Sequence, residues 1–324
     1  MKKITARELA DKAGVSVGTV SRVINNLPGH SPETVARIRA AMYELGFRPP
    51  PSKLTTPQKR VRQVALLFPD NAATPLGMVT PLGIGLAKGA DAVLATQRQQ
   101  LLVTQMRGAS ELPHCITRRQ VEGVLLRNGT VPDALMKKLR ALPCVRIFGT
   151  RPAINGMDVV NVDNYQLGRM AAEIILAEKP RTVTLLTHEH AFHDEFQLRL
   201  FGCRLALEEA GVKSNTVSLD FFHRQIGELS RQGLACFIPG HDQDVSTVAE
   251  WLRHTRAFRA GKIVLAAAVT ESESLLRDHP WIRGIAVRPE EMGRISAQQL
   301  LWRMQYPHEA PRNVLVSPRL TNVL

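Results

Sequence analysis

Two stretches of this sequence hold residue types that can do chemistry. The first is Ser16-Val-Gly-Thr-Val-Ser-Arg22, with Asn25 just beyond it. An arginine on an exposed helix can donate two parallel hydrogen bonds to guanine O6 and N7, which discriminates that base by ~1–3 kcal/mol. Nearby hydroxyl and amide groups suit phosphate oxygens, which position a protein without reading sequence. The second stretch is His188-Glu-His-Ala-Phe-His-Asp194. Neutral imidazoles and carboxylates bind zinc-like metals and also hydrogen-bond polar organic molecules. A solvated polar loop is the plain alternative. The stretch lacks the His-Glu-x-x-His spacing of a zinc protease.

The first stretch needs a helix to present it. Thr5-Ala-Arg-Glu8 fits a capping box, in which hydroxyl and carboxylate satisfy each other's free N–H groups. A helix follows with Leu9, Ala10 and Ala13 on one face, and Gly14 ends it. Ser16 caps a second helix, Val17 to Ile24, with Val20, Val23 and Ile24 turned inward. Ser31-Pro32 starts a third, which buries Val35, Ile38, Met42 and Leu45 and stops at Gly46. Helix, glycine turn, helix is the helix-turn-helix pattern, whose second helix enters the major groove. Val17, Gly18 and Arg22 then face DNA. Ser16, Thr19, Ser21 and Asn25 bind phosphate, and Thr5 and Ser31 join the DNA-binding set. A three-helix bundle with solvated charges is the other reading of the spacing alone.

Charge points the same way. The 324 residues carry 42 Lys/Arg and 29 Asp/Glu, a net charge of +13. Residues 1–62 hold twelve of the bases and four of the acids, so +8 of that charge sits in the first fifth of the chain. A basic module of this kind seeks a polyanion. Nucleic acid is the first candidate and an anionic membrane surface the bland one. No apolar run approaches the ~20 residues that span a bilayer, and no apolar segment follows Lys2 and Lys3 as in a secretory signal. The expected location is the cytoplasm. Cys115, Cys144, Cys203 and Cys236 are far apart, which suits buried reduced thiols.

From Gln63 onward, apolar runs alternate with helical stretches. Expected strands are Val64–Phe68, Gln100–Thr104, Gly123–Leu126, Val145–Phe148, Val159–Val162, Thr182–Thr187, Val217–Phe222, Ala235–Ile238, Ile263–Ala268 and Ile285–Val287. Expected helices include Pro81–Thr96, Pro132–Ala141, Tyr165–Ala177, Phe196–Ala210, Val245–His254 and Glu290–Met304. The alternation implies parallel sheets covered on both faces. The number of strands implies two open sheets flanking a cleft, with ligands at the strand carboxyl ends. Gly83, Gly85 and Gly89 miss the dinucleotide-binding spacing and fall inside a helix, so they read as helix packing. There is no Walker A motif and no Gly-x-Ser-x-Gly elbow. The expectation is a protein with neither catalysis nor a cofactor.

The stretch from Ala10 to Asn25 resembles the DNA-binding signature of the LacI/GalR family, and Glu44-Leu-Gly-Phe-Arg-Pro49 resembles the end of that family's third helix. Val159–Glu173, Arg199–Gly211, Arg288–Arg294 and Pro318-Arg-Leu320 extend the resemblance over essentially the whole chain. It implies an α/β core of two doubly wound, periplasmic-binding-protein-like subdomains behind an N-terminal all-α helix-turn-helix domain. The implied domains are a DNA-binding domain at 1–48, a basic proline-rich hinge at 49–62 and a core at 63–324. Within the core, one lobe takes 63–161 and 289–306, and the other takes 162–288 and 307–324. The implied function is a transcriptional regulator, of the repressor type, that binds a palindromic DNA operator as a homodimer. A small effector in the cleft, a sugar or related polar metabolite, modulates it.

The resemblance also implies effector contacts. Arg199 matches the family arginine that grips the ligand. Asp242 matches an aspartate of the family's Asn-Asp motif, although His241 stands where asparagine is usual. The family's Asp-Asp pattern after the Ile263–Ala268 strand is missing, and Glu271 is the substitute. His188 and His190 rim the same cleft by position. Aromatic residues make up only 5% of the chain and none lies between Asn71 and Thr80, which argues against a sugar-stacking cleft. Two alternatives stay open. One is a regulator whose core only dimerises. The other is a metal-responsive regulator or metal-dependent enzyme that uses His188, His190, His193 and Asp194.

The family's hinge is usually a short helix on the operator, with a leucine wedged into the minor groove. Here Pro49-Pro50-Pro51 favours polyproline II, and Pro57 cannot donate a helical hydrogen bond. Leu54 is the one apolar candidate for a wedge, and Lys53 remains for phosphate contact. A short or non-helical hinge makes Leu54→Ala nearly neutral for operator bending. A large loss of bending in a circular-permutation gel assay would overturn that reading.

Overall fold

Thr5 and Glu8 close a reciprocal cap at the start of the first helix. The Thr5 Oγ1 accepts from the Glu8 N–H at 3.3 Å, and the Thr5 N–H donates to Glu8 Oε2 at 2.8 Å. Helix α1 (Ala6–Ala13) ends at Gly14, whose φ of 61° is the left-handed conformation glycine adopts without strain. Helix α2 (Val17–Ile24) follows, and Ser16 accepts from the Thr19 N–H at 3.1 Å. Ser31 caps α3 (Pro32–Glu44) by accepting from the Thr34 N–H at 3.3 Å. Leu9, Ala10, Ala13, Val20, Ile38 and Ala41 form the buried centre. Val23, Ile24, Met42 and Leu45 pack around it, and Val35 is half-buried.

This computed structural model describes residues 5–24, 30–47, 62–69, 77–106, 112–129, 131–149, 157–187, 194–231, 233–270 and 273–321. The chain divides into two compact units, Met1–Val61 and Arg62–Leu324. The expected hinge at 49–62 lies outside the described residues except for Arg62.

The second unit alternates strand and helix. Its first half contains β1 (Arg62–Phe68), a 3-10 turn (Gly77–Val79), α4 (Pro81–Thr96), β2 (Gln99–Gln105), α5 (His114–Thr117), β3 (Gly123–Arg127), α6 (Asp133–Leu139), β4 (Cys144–Ile147) and β5 (Asp158–Val162). Next come α7 (Asn164–Leu176), β6 (Thr182–Thr187), α8 (Asp194–Glu209), β7 (Lys213–Ser218), α9 (Leu219–Leu229), β8 (Leu234–Ile238) and α10 (Asp242–Arg253). The chain closes with α11 (Arg256–Arg259), β9 (Ile263–Val269), α12 (Glu273–Asp278), β10 (Arg283–Ala286), α13 (Pro289–Gln305), β11 (Asn313–Val316) and β12 (Arg319–Leu320).

The strands form two sheets of the same winding. The first has the order β11-β5-β4-β3-β1-β2 and is parallel throughout. The second has the order β12-β10-β9-β8-β6-β7, with only β12 antiparallel. Near-continuous apolar runs such as Val64–Phe68 and Leu234–Ile238 are buried on both faces, as parallel strands under helices require. Helices α4 and α13 cross with their backbones in contact. A Cβ at Gly89 would run into the Glu290 carbonyl, and one at Gly293 into the Leu86 carbonyl.

Two expectations need correction. The strand expected at Val217–Phe222 lies earlier, at Lys213–Ser218. Ser218 ends it and caps α9, accepting from the Phe221 N–H at 3.2 Å. The apolar pair Phe221-Phe222 reads as strand, but Phe222 belongs to the buried face of an amphipathic helix. The tail at 307–324 is also not confined to the second lobe. Residues 313–316 pair with β5 in the first sheet, and only 319–320 join the second. The chain therefore passes between the lobes at 163, at 287–288 and at 317–318. These passages are tied together: the Asp163 N–H donates to the Val316 carbonyl at 2.9 Å, and Arg288 Nη1 reaches the Ser317 carbonyl at 3.5 Å.

Among the described residues no helix is long and apolar enough to cross a membrane. All four cysteines are free and buried, and burial pushes the Cys144, Cys203 and Cys236 thiols up to about 12.

A buried ion pair fixes α13 to the first sheet. Arg303 Nη2 and Nε bond the Asp158 carboxylate at 2.7 and 2.9 Å, Gln299 Nε2 adds a third bond at 3.0 Å, and the Arg312 N–H a fourth at 2.7 Å. Burial alone would push the Asp158 carboxyl up, but these donors outweigh it and hold it below its ordinary value. The stability it contributes is present above the unfolded carboxyl pKa of ~3.9 and is lost as pH falls through the depressed folded value. Arg303→Met strands Asp158 without its cation and should cost about 3–5 kcal/mol in urea unfolding at pH 7. A change under 1 kcal/mol would show that the pair is dispensable.

Candidate functional site

The first candidate surface is the N-terminal face of α2. Val20 is fully buried under it, while Val17 is 44% exposed and Gly18, Ser21 and Arg22 are exposed beside it. The helix is pinned by its apolar face and presents Val17, Gly18 and Arg22 outward. The hydroxyls assigned to phosphate from sequence are engaged in helix starts. Ser16 Oγ lies 2.9 Å from Thr19 Oγ1, Ser31 Oγ lies 3.1 Å from Thr34 Oγ1, and Thr5 Oγ1 donates to Glu8 Oε2 at 3.0 Å. They hold the helix ends in place, and an α-helix start offers free N–H groups to a phosphate. Asn25, Lys53 and Leu54 lie outside the described residues.

The second candidate site is the cleft where both sheets end. In each sheet the winding reverses direction once, between β1 and β3 in the first and between β6 and β8 in the second. Open α/β sheets bind ligands at the carboxyl ends of such strands. Asn128 follows β3 directly, and Pro239-Gly-His-Asp242 follows β8.

Arg199 is buried in the second lobe beside the end of β8. Helices α7 and α8 approach so closely that a Cβ at Gly168 would strike the Arg199 carbonyl, and one at Gly202 the Tyr165 carbonyl. The Arg199 side chain is buried, 5% exposed. Its Nε donates to Asn164 Oδ1 at 2.8 Å and its Nη1 to the Pro239 carbonyl at 2.6 Å. The guanidinium also lies 5.2 Å from the Phe196 ring centre. Burial lowers its pKa to about 10, opposed by the charge of Glu195. Asn164 in turn donates to Asn161 Oδ1 at 3.2 Å, and Asn161 donates to the Gly149 carbonyl at 2.9 Å. A polar chain thus runs from the end of the first sheet, through Asn161, Asn164 and Arg199, to the end of β8.

His241 is exposed, adopts a positive φ of 61° at the start of α10 and meets the Phe196 ring edge-on at 4.9 Å. Non-glycine residues in this conformation concentrate at functional sites. Asp242 accepts from the Thr270 N–H at 3.0 Å and from its hydroxyl, which ties the start of α10 to the end of β9. Burial raises the Asp242 carboxyl, and those two bonds oppose the rise. Arg199, His241 and Asp242 therefore come together at one strand end. Asp194 opens α8. His188, His190, His193 and Glu271 lie outside the described residues. Among the described residues no three His, Cys, Asp or Glu side chains cluster as metal ligands would.

The structure adds a first wall that the sequence reading lacked. Arg127 and Arg146 converge on Asn128: Arg127 Nη1 donates to its carbonyl at 3.2 Å, and Arg146 Nη2 donates to Oδ1. The Asn128 amide then crosses the cleft and donates to Glu195 Oε1 at 3.2 Å. Glu195 is buried, 7% exposed. The available signal was position, since Arg127 and Arg146 stand at the carboxyl ends of adjacent strands.

Residues 5–50 match the family model described as bacterial regulatory proteins, lacI family. The HTH-type transcriptional regulator CelR of Thermobifida fusca is 28% identical over 98% of this chain and 97% of its own length. The HTH-type transcriptional regulator GalS of Salmonella typhimurium is 27% identical over 65% of this chain and 62% of its own. A solved CelR–cellobiose complex has a TM-score of 0.61 at 23% identity and covers 98% of both chains. The lac repressor dimer bound to operator and an anti-inducer also scores 0.61, at 17% identity, over 99% of this chain and 98% of that one.

Arg199 carries structure even without a ligand. Arg199→Met leaves the Asn164 amide oxygen and the Pro239 carbonyl without their donor and should cost about 2 kcal/mol or more in urea unfolding of the ligand-free protein. An unchanged midpoint would mean that the guanidinium serves no structural role.

Proposed function

We propose that this chain is a lacI-family repressor that reads a palindromic operator as a homodimer in the cytoplasm. The carrying observation is the α2 face, where Val17, Gly18 and Arg22 stand exposed over a fully buried Val20. In this reading Arg22 pairs with a guanine, Val17 offers apolar contact such as a thymine methyl, and Gly18 leaves room for close approach. The N-termini of the helices, with Thr5, Ser16, Thr19, Ser21, Asn25 and Ser31, lie on phosphates, and Lys53 and Leu54 extend the contact through the hinge. A two-fold dimer places two such helices on symmetric half-sites.

The core senses a small polar effector in the cleft between its lobes. In this reading Arg199, His241 and Asp242 contact the effector, and the polar chain through Asn161 and Asn164 supports them; Glu271, His188 and His190 are the further contacts expected from sequence. Two relatives lend weight: one is solved with cellobiose and another with an operator. The lobes share three chain passages, so closure on a ligand moves the whole of one sheet against the other. Effector and operator then change each other's affinity by the same factor. No residue takes a catalytic role and no cofactor is needed.

Operator selection from random DNA, followed by binding titrations, tests this reading. Arg22→Ala should lose ~1–3 kcal/mol of discrimination at one base pair in each half-site and keep the preference elsewhere. Uniform weakening on every sequence would remove Arg22 from base reading, and a selection that enriches no sequence would overturn the proposal.

A further inference from the structure

We propose that the effector is an anion, a small polyol bearing a carboxylate or phosphate group, held by Arg127 and Arg146 on the first wall of the cleft. The inference rests on the reading of this cleft as an effector site and narrows it to one ligand chemistry. Its basis is a charge imbalance in a half-buried place, where Arg127, Asn128 and Arg146 are partly covered and Glu195 and Arg199 are buried. Three guanidinium groups, Arg127, Arg146 and Arg199, approach Asn128 and Glu195 from both lobes. Glu195 is the single carboxylate they share among the described residues: its charge acts on Arg127 and Arg199 directly, and Asn128 links it to Arg146.

Buried cations are costly unless paired and fully hydrogen-bonded. Arg199 has Asn164, the Pro239 carbonyl and the Phe196 ring. Arg127 is worse placed, because its Nε is buried with no hydrogen-bond partner. Burial accordingly disfavours its charged form, and only Glu195 opposes this. An acceptor is missing beside a group that cannot lose its charge at neutral pH. A hydroxyl could accept from Nε but would leave the excess charge uncompensated. A carboxylate or phosphate does both, and matches the guanidinium fork with two parallel bonds.

Arg146 adds to the same spot. Its Nη2 already turns toward Asn128 Oδ1, and its Nε and Cζ lie beside Gly149, where a Cβ would come within 3.1 and 3.3 Å of them. The Asn128–Glu195 bond is a single amide–carboxylate contact across the cleft. An entering anion takes over the arginines and leaves Asn128 free to keep its bond to Glu195 or give it up.

The test is thermal unfolding of the full chain at constant ionic strength. The probes are D-gluconate, D-glucose 6-phosphate and inorganic phosphate, set against D-glucose and cellobiose. The expected result is a rise of several degrees with at least one anion, which tells carboxylate from phosphate. Arg127→Gln and Arg146→Gln should each weaken that anion at least about tenfold. Both variants should keep the wild-type far-ultraviolet circular dichroism spectrum and a single cooperative unfolding transition without ligand, which checks that they fold. An anion effect that survives both variants comes from elsewhere, such as the basic N-terminal unit, and overturns the proposal. A rise with D-glucose or cellobiose and none with any anion overturns it too, while the effector reading stands. Silence across the set, with inorganic phosphate at tens of millimolar included, overturns the proposal.

Discussion

The close crossing of α7 and α8 is the constraint on which the cleft depends. Gly168 and Gly202 let the two backbones touch, and the Arg199 side chain is buried beside that crossing. A buried guanidinium must then be supplied with acceptors. The fold supplies them from two different strand ends, Asn164 after β5 and the Pro239 carbonyl after β8. The polar lining of the second wall is thus organised around one buried guanidinium.

The first wall obeys a different logic. Parallel strands end together, so Arg127 and Arg146 on adjacent strands arrive at the same rim. Their charges are not balanced within that wall, and the Asn128–Glu195 bond links them to the other lobe. The three chain passages at 163, 287–288 and 317–318 are bonded to one another by the Asp163 and Arg288 contacts. Apolar packing continues across them, since one core cluster includes Val64 and Val160 of the first sheet and Val183 and Ala235 of the second. The lobes therefore respond to a ligand as connected bodies.

The N-terminal unit rests on local chemistry instead. Its caps, Thr5 with Glu8, Ser16 and Ser31, lie within three residues of the groups they satisfy, and Gly14 makes its turn alone. A small apolar centre, Leu9, Ala10, Ala13, Val20, Ile38 and Ala41 with partly buried neighbours around it, fixes three helices whose starts are already capped.

Sequence alone determined whatever depends on neighbours in the chain. The capping box at Thr5, the start of α3 at Ser31-Pro32, the span Pro81–Thr96 and the packing role of Gly83, Gly85 and Gly89 are all legible from spacing. Alternation of apolar runs and helices made the two parallel sheets legible as well. Tertiary structure decided what depends on residues far apart. Phe221-Phe222 looked like a strand because a short apolar run has no period of its own, and only the Ser218 cap and the face buried by Phe222 separate the two outcomes. The tail divides between lobes because β11 finds the free edge of β5, roughly 150 residues earlier in the chain. Arg127, Arg146, Asn128 and Glu195 carry no motif, for they come from β3, β4 and α8 and meet only once both sheets have folded. Charge acts through space rather than along the chain, so their imbalance becomes visible only there.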